Sequence, residues 1–246
     1  ENKLTFYHHP LSPFAMVVKA VLSHFAIDHE ERVIDLGTKE NRTEWYLKVN
    51  PDGTIPAIKD GGYCLSETLA ICRYLMESRG IDSDFYPYSD AKKLARHNEA
   101  IEFAGGRFRY KTFNCIFQLL IGPTFFGKPR HPEEVQQKYL SDLRECYEEF
   151  EARLKSSGTK YMLSDDSLSL ADFYLYCMTM VVVDNGIAAL DDFPAMANWY
   201  RAVGLTPALQ TVSTRRRRMM RLAVFYFTYI IPIIKCCKCR GKKKSA

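Results

Sequence analysis

No apolar run in the chain approaches the roughly 20 residues that cross a hydrocarbon core, so a multi-span membrane protein is excluded. Glycine and proline, 13 and 11 among 246 residues, are too few for collagen or low-complexity sequence, and no internal repeat is present. Missing too are the P-loop, G-x-G-x-x-G, H-E-x-x-H and paired C-x-x-C patterns, which removes the usual sequence support for nucleotide chemistry and structural zinc. Acidic residues are absent from 215–246, a segment that holds eleven Lys and Arg; the net charge of +5 therefore leaves −6 on residues 1–214. The chain is an acidic body with a basic tail, and no nucleic-acid-binding face is expected on the body. The first residues lack the basic and apolar regions of a secretory leader, so a cytosolic, reducing setting is expected.

What is present is an ordinary globular composition, 47% hydrophobic and 26% charged. Of eight cysteines, Cys64, Cys72, Cys115, Cys146 and Cys177 are scattered through apolar stretches without framework spacing and read as buried reduced thiols. Periodicity gives a strand at 4–8, a helix at 13–25, a strand at 29–36, a helix at 42–49, two short strands at 55–58 and 63–65, and a helix at 67–79 stopped by Gly80. Beyond Tyr86, Pro87 and Tyr88 everything reads as helix, at 91–120, 132–155, 170–184 and 193–203. The change of class near residue 85 predicts two packed domains. Ser169-Leu170-Ala171-Asp172 has capping-box spacing, with Leu168 and Phe173 placed as a hydrophobic staple.

Ser12-Pro13 stands where the first strand gives way to the first helix, with Ser able to cap and Pro at the favoured first helical position. A hydroxyl there lies beside free backbone N–H groups and the positive end of the helix dipole, a place suited to an anion, although capping alone also accounts for the pair.

Asn50-Pro51-Asp52-Gly53-Thr54-Ile55-Pro56-Ala57-Ile58 is followed by Asp60-Gly61-Gly62-Tyr63-Cys64-Leu65-Ser66-Glu67-Thr68-Leu69-Ala70-Ile71, then Arg73, Tyr74 and Leu75. This resembles the glutathione transferase superfamily, whose pattern is N-P-x-G-x-[VI]-P-x-[LI] followed by D-G-x-x-[LI]-x-E-[ST]-x-A-I-x-x-Y-L. Phe85-Tyr86-Pro87 and the capping box extend the likeness over residues 3–210.

The resemblance implies an α/β thioredoxin-like domain at 1–82 that binds glutathione and an all-α domain at 88–212 that takes the acceptor substrate; the change of composition sets off a tail at 213–246. It implies glutathione as co-substrate, no tightly bound cofactor, no metal, and a homodimer. Pro56 is similar to the family's cis-proline, which leaves the Ile55 backbone to pair with glutathione. Glu67 and Thr68 match the acid–hydroxyl pair for the γ-glutamyl group. Ser12 resembles the serine of the theta, delta and tau classes, whose hydroxyl hydrogen-bonds the glutathione sulfur and favours thiolate. The thiolate would then attack small electrophiles. Tyr7 is the runner-up activator, and His8 and His9 read as strand-end or loop histidines.

Two departures stand out. Met16 and Val17 occupy the positions where serine-type sequences usually carry Arg. Gly53 replaces a residue that in some classes meets the glycyl carboxylate, which leaves Lys39 or Arg42 for that contact. Tyr110, Phe113 and Phe117 lie at helical spacing and resemble acceptor-site aromatics, while a plain core role would give the same stripe. Gly105-Gly106 inside that helix predicts a bend or a close approach.

In the tail, thirteen uncharged residues at 222–234 lie between basic flanks. As a helix they reach about 20 Å, short of a hydrocarbon core of about 30 Å. Cys236, Cys237 and Cys239 beside them are candidates for S-palmitoylation, and an acyl chain plus a basic cluster is a two-signal anchor. The sequence therefore predicts a transferase held through residues 219–244 at the cytoplasmic face of a membrane, an organelle outer membrane being one such surface. The alternative is a membrane-bound sensor or scaffold of the same fold without catalysis.

Overall fold

In a computed structural model that describes residues 3–225, the chain opens with a four-stranded mixed sheet and continues as helices. The first half runs β1 (Thr5–His8), α1 (Pro13–His24), β2 (Glu30–Val33), α2 (Glu44–Leu47), β3 (Ala57–Asp60), β4 (Tyr63–Ser66) and α3 (Thr68–Ser78). Strand order is β2-β1-β3-β4, with β1 and β2 parallel and the other pairs antiparallel. A parallel pair needs a crossover, and α1 supplies it. Alternation along the strands sends Phe6 and Ile58 toward α1 and α3, while Tyr7 and Ala57 face Ile34 and Tyr46 on the other side.

The helix expected at 42–49 is two single turns, a 3₁₀ turn at Glu40–Arg42 and α2. Between them Thr43 is extended, its hydroxyl donating to the Glu40 carbonyl at 2.6 Å. That side-chain bond competes with helix propagation.

The second half comprises α4 (Ala91–Phe103), α5 (Arg109–Ile116), α6 (Gly122–Phe125), α7 (Glu133–Ser157), α8 (Leu170–Asp184), α9 (Pro194–Gly204) and α10 (Pro207–Phe225). The single helix expected at 91–120 is instead interrupted by π-helical stretches at Ala104–Phe108 and Phe117–Ile121. Gly106 makes the bend, with φ −91° and ψ −105°. Gly105 makes the close approach: a Cβ there would lie 2.7 Å from Leu69 Cδ1.

Helix α8 is buried on every side from Leu170 to Val182 and joins the halves. Its Tyr174 meets Phe14 and its Phe173 meets His24, both on α1. The capping box closes as its spacing predicts. Asp172 does more than cap, accepting from the Met162 N–H at 2.8 Å and the Trp199 indole at 2.7 Å, so one fully buried carboxylate pins loop, α8 and α9. Cys72, Cys115, Cys146 and Cys177 are buried free thiols and Cys64 is half-buried.

Helix α10 runs through the expected boundary at 213. Its arginine run is not a free flank among the described residues. Arg217 Nε donates to Asp184 at 2.8 Å, Arg215 lies 3.9 Å from Glu31, and Arg216, 1% exposed, faces Asp184 at 4.0 Å. Burial pushes the Arg216 guanidinium down to about 10 against the opposing Asp184 charge. No helix among the described residues is long and apolar enough to cross a membrane. Most of 219–244, with Cys236, Cys237 and Cys239, lies outside the described residues.

Candidate active site

Strand register gathers the sequence motifs at one end of the sheet. Tyr7 pairs with Ala57, and Ala57 pairs with Ser66. The loop after β1, which carries Ser12, the Ile55-Pro56 step before β3 and the Glu67-Thr68 step after β4 therefore emerge side by side.

Ser12 is the N-cap of α1, in extended backbone with φ −76° and ψ 119°. Its Oγ accepts the Ala15 N–H at 3.3 Å, which leaves its own O–H free to donate. Met16 and Val17 are both buried, so neither position supplies a cation behind Ser12; the first cation of α1 is Lys19, which pairs with Glu31.

The loop from Asn50 to Ile55 is held by its carbonyls. Arg42 donates to Asp52 O at 2.9 Å, Asn41 to Gly53 O at 2.7 Å, and Tyr46 and Asn50 to Thr54 O at 2.6 and 2.8 Å. The series stops at Ile55, whose backbone N–H and carbonyl have no partner among the described residues. Pro56 follows through a cis peptide bond. The result is one open pair of main-chain groups, able to accept an extended peptide as an added strand. Gly53 has φ +62°, and a Cβ on it would fall 2.7 Å from Arg42 Nη1, so the guanidinium occupies the space a side chain would need. Lys39 is exposed nearby in sequence, in left-handed backbone at φ 60°.

Glu67 precedes α3 with φ 71°, a costly conformation for a residue with a Cβ, and makes no cap bond with its own side chain. Thr68, the first helical residue, is buried. Burial raises the Tyr174 phenol, with the Arg109 guanidinium lowering it and the Glu67 carboxylate raising it, so charges from both halves reach this tyrosine.

Beside Ser12, Phe14 packs on Phe113 at 5.0 Å between centroids, Phe113 on Phe117 at 6.0 Å, and Phe117 on Phe126 at 6.0 Å. Lys128 Nζ stands 4.8 Å over the Phe117 ring. An aromatic wall thus runs outward from the start of α1 and ends in a cation.

Residues 2–77 match the family model for the glutathione S-transferase N-terminal domain, and residues 91–204 match that for the C-terminal domain. The chain belongs to the glutathione S-transferase family. This is a family of enzymes that use glutathione as co-substrate. A probable glutathione S-transferase of Oryza sativa subsp. japonica is 29% identical over 79% of this chain and 88% of its own length. Glutathione S-transferase theta-1 of Homo sapiens is 27% identical over 72% of each chain. Among solved structures, glutathione transferase F7 from Populus trichocarpa superposes with a TM-score of 0.78 at 25% identity, covering 87% of this chain and 99% of that one. Another, titled glutathione S-transferase-I, was solved with lactoylglutathione bound, at TM-score 0.75 and 25% identity.

Within this transferase fold the other sequence candidates separate. Tyr7 is buried on the α2 side of the sheet against Trp45 and Tyr46, and burial raises its phenol while Arg32 opposes. Tyr110 is 67% exposed and makes no ring contact among the described residues, whereas Phe113 and Phe117 join the wall. Phe14, Phe126 and Tyr174 complete this wall. Phe14 carried a signal, its place directly after Ser12-Pro13; the other two are brought in by tertiary packing alone.

Proposed function

We propose that this transferase ionises the thiol of glutathione with Ser12 and directs the thiolate at an electrophile seated on the wall of Phe14, Phe113 and Phe117. The observation that carries the reading is the free Ser12 O–H at the end of the sheet where the unpaired Ile55 backbone also emerges. Glutathione extends along Ile55 and Pro56 in antiparallel fashion. Its γ-glutamyl ammonium meets the Glu67 carboxylate, while its α-carboxylate meets the Thr68 hydroxyl and the positive end of α3. Its glycyl carboxylate meets Arg42, whose guanidinium stands over Gly53, with Lys39 alongside.

The Ser12 hydroxyl donates to the sulfur and so favours thiolate over thiol, each tenfold shift being worth about 1.4 kcal/mol. The sulfur lone pair attacks an electrophilic carbon and forms the S–C bond. The leaving group departs with its electron pair, or the electrons move into an activated double bond. Phe113, Phe117 and Tyr110 on the outer turn make the acceptor side suited to aromatic electrophiles.

The working molecule is a homodimer divided at 1–82, 88–212 and 213–246, with the tail through 219–244 and acylated Cys236, Cys237 and Cys239 holding it to a cytoplasmic membrane face. The basic excess of the tail supports this reading, at about 1 kcal/mol per Lys or Arg near anionic lipid. Conjugation of glutathione to a chlorinated nitrobenzene, measured with the parent and Ser12→Ala, tests the chemistry. Loss of most of the turnover in the variant is expected; an inert parent that still binds glutathione would favour the sensor or scaffold reading, which the apolar Met16 and Val17 after Ser12 also support. Flotation of the full chain with phosphatidylserine vesicles, lost on deletion of residues 226–246, tests the tether.

A further inference from the structure

The loop that delivers Ser12 is closed by one residue. His9 uses its carbonyl to accept the Ser12 N–H at 3.0 Å and its ring Nδ1 to accept the Leu11 N–H at 3.3 Å. Pro10, between them, has no N–H to satisfy and fixes φ for the second position of a turn. A side-chain acceptor reaching the N–H two residues on is the arrangement Asn and Asp build in an Asx-turn, here made with imidazole. Both amides that lead into α1 are thus consumed by His9.

We propose that His9 is a positioning residue for Ser12: its neutral imidazole holds the turn that sets the hydroxyl against the sulfur, and its protonation releases that turn. The proposal rests on the reading of Ser12 as activator. Nδ1 accepts only while unprotonated, so the ring must carry its proton on Nε2. The groups facing it are Asp35 beyond β2 and His8 on β1. Burial lowers the His9 imidazole from its ordinary value and Asp35 opposes this, which keeps the ring neutral at neutral pH. Asp35 is itself committed, accepting the Gly37 and Thr38 N–H groups at 2.8 and 3.2 Å.

The test compares the full-length parent with His9→Leu, which removes the acceptor, and His9→Asn, which restores one as a true Asx-turn. In His9→Leu the bound glutathione thiol pKa rises and kcat falls about tenfold, the scale of one lost hydrogen bond, while KM for glutathione changes less. In His9→Asn both return toward the parent. Without any glutathione, the Leu11 amide in the parent loses chemical shift and exchange protection as acid protonates His9, and in His9→Asn it does not. The proposal is overturned if His9→Asn is as impaired as His9→Leu, or if the parent Leu11 amide ignores the His9 titration. Should His9→Leu fail to fold, the amide titration and the His9→Asn kinetics still decide. A parent whose bound glutathione keeps an ordinary thiol pKa while the Leu11 amide follows pH would instead overturn the Ser12 reading, and with it the catalytic purpose of the turn.

Discussion

The Asn41 carbonyl lies 2.7 Å from where a Cβ on Gly53 would stand, with the Arg42 guanidinium pressing the same point. Gly53 also has φ +62°, so a side chain there meets backbone on one side and conformational strain within itself. Gly53→Ala is expected to cost roughly 1–2 kcal/mol from the left-handed conformation alone, more with the clash. Since the displaced group is Arg42, glutathione affinity should fall further than stability does. Thermal unfolding alongside glutathione titration checks both, and equal losses would show that Arg42 makes no contact with the ligand.

Asp172 gives a purely structural prediction. Asp172→Ala leaves the Met162 N–H, the Ser169 N–H and the Trp199 indole without their buried acceptor. Each unsatisfied buried donor costs about 1–3 kcal/mol, so a loss of several kcal/mol is expected, far beyond the ~1 kcal/mol of a simple cap. Urea unfolding measures it.

These two sites show what could be read from residues alone. Ser-x-x-Asp spacing announces a helix start because a cap is local geometry, but nothing local says that Trp199 and Met162 will share the carboxylate. Likewise the alternating strands and the stop at Gly80 were legible, and so was some irregularity at Gly105-Gly106. Which glycine bends and which yields space depended on Leu69, from the other half of the chain. The run from Arg215 reads as a basic flank because its neutralising partners, Glu31 and Asp184, are distant in sequence. The motif pair at 50–58 and 60–71 pointed to the glutathione end of the sheet, whereas Phe126 and Tyr174 enter the wall only through folding.

Acid should destabilise the protein through His8. Burial lowers its imidazole from 6.5 to about 4, with Glu31 opposing and Lys19 and Arg215 assisting. The unfolded state therefore binds more protons between those values, and stability is lost as pH falls from about 6.5 toward 4. His8→Gln should flatten this limb of the stability curve above pH 4. A variant that keeps the parent's full pH dependence would assign the effect to other groups.

Phe113 bridges Phe14 and Phe117, so Phe113→Ala removes the middle of the wall. KM for an aromatic electrophile should rise about tenfold, as for a lost aromatic contact plus buried area, with glutathione binding unchanged. Steady-state kinetics with each substrate varied in turn separates the two effects.

The central claim is that Ser12 makes a thiolate of bound glutathione. Ultraviolet thiolate absorbance of the glutathione complex, titrated against pH for the full chain and for Ser12→Ala, reads it directly. The account predicts a thiol pKa at least one unit below the roughly 8.5 of a free thiol in the parent, restored toward that value in the variant. The same ordinary pKa in both proteins would contradict it.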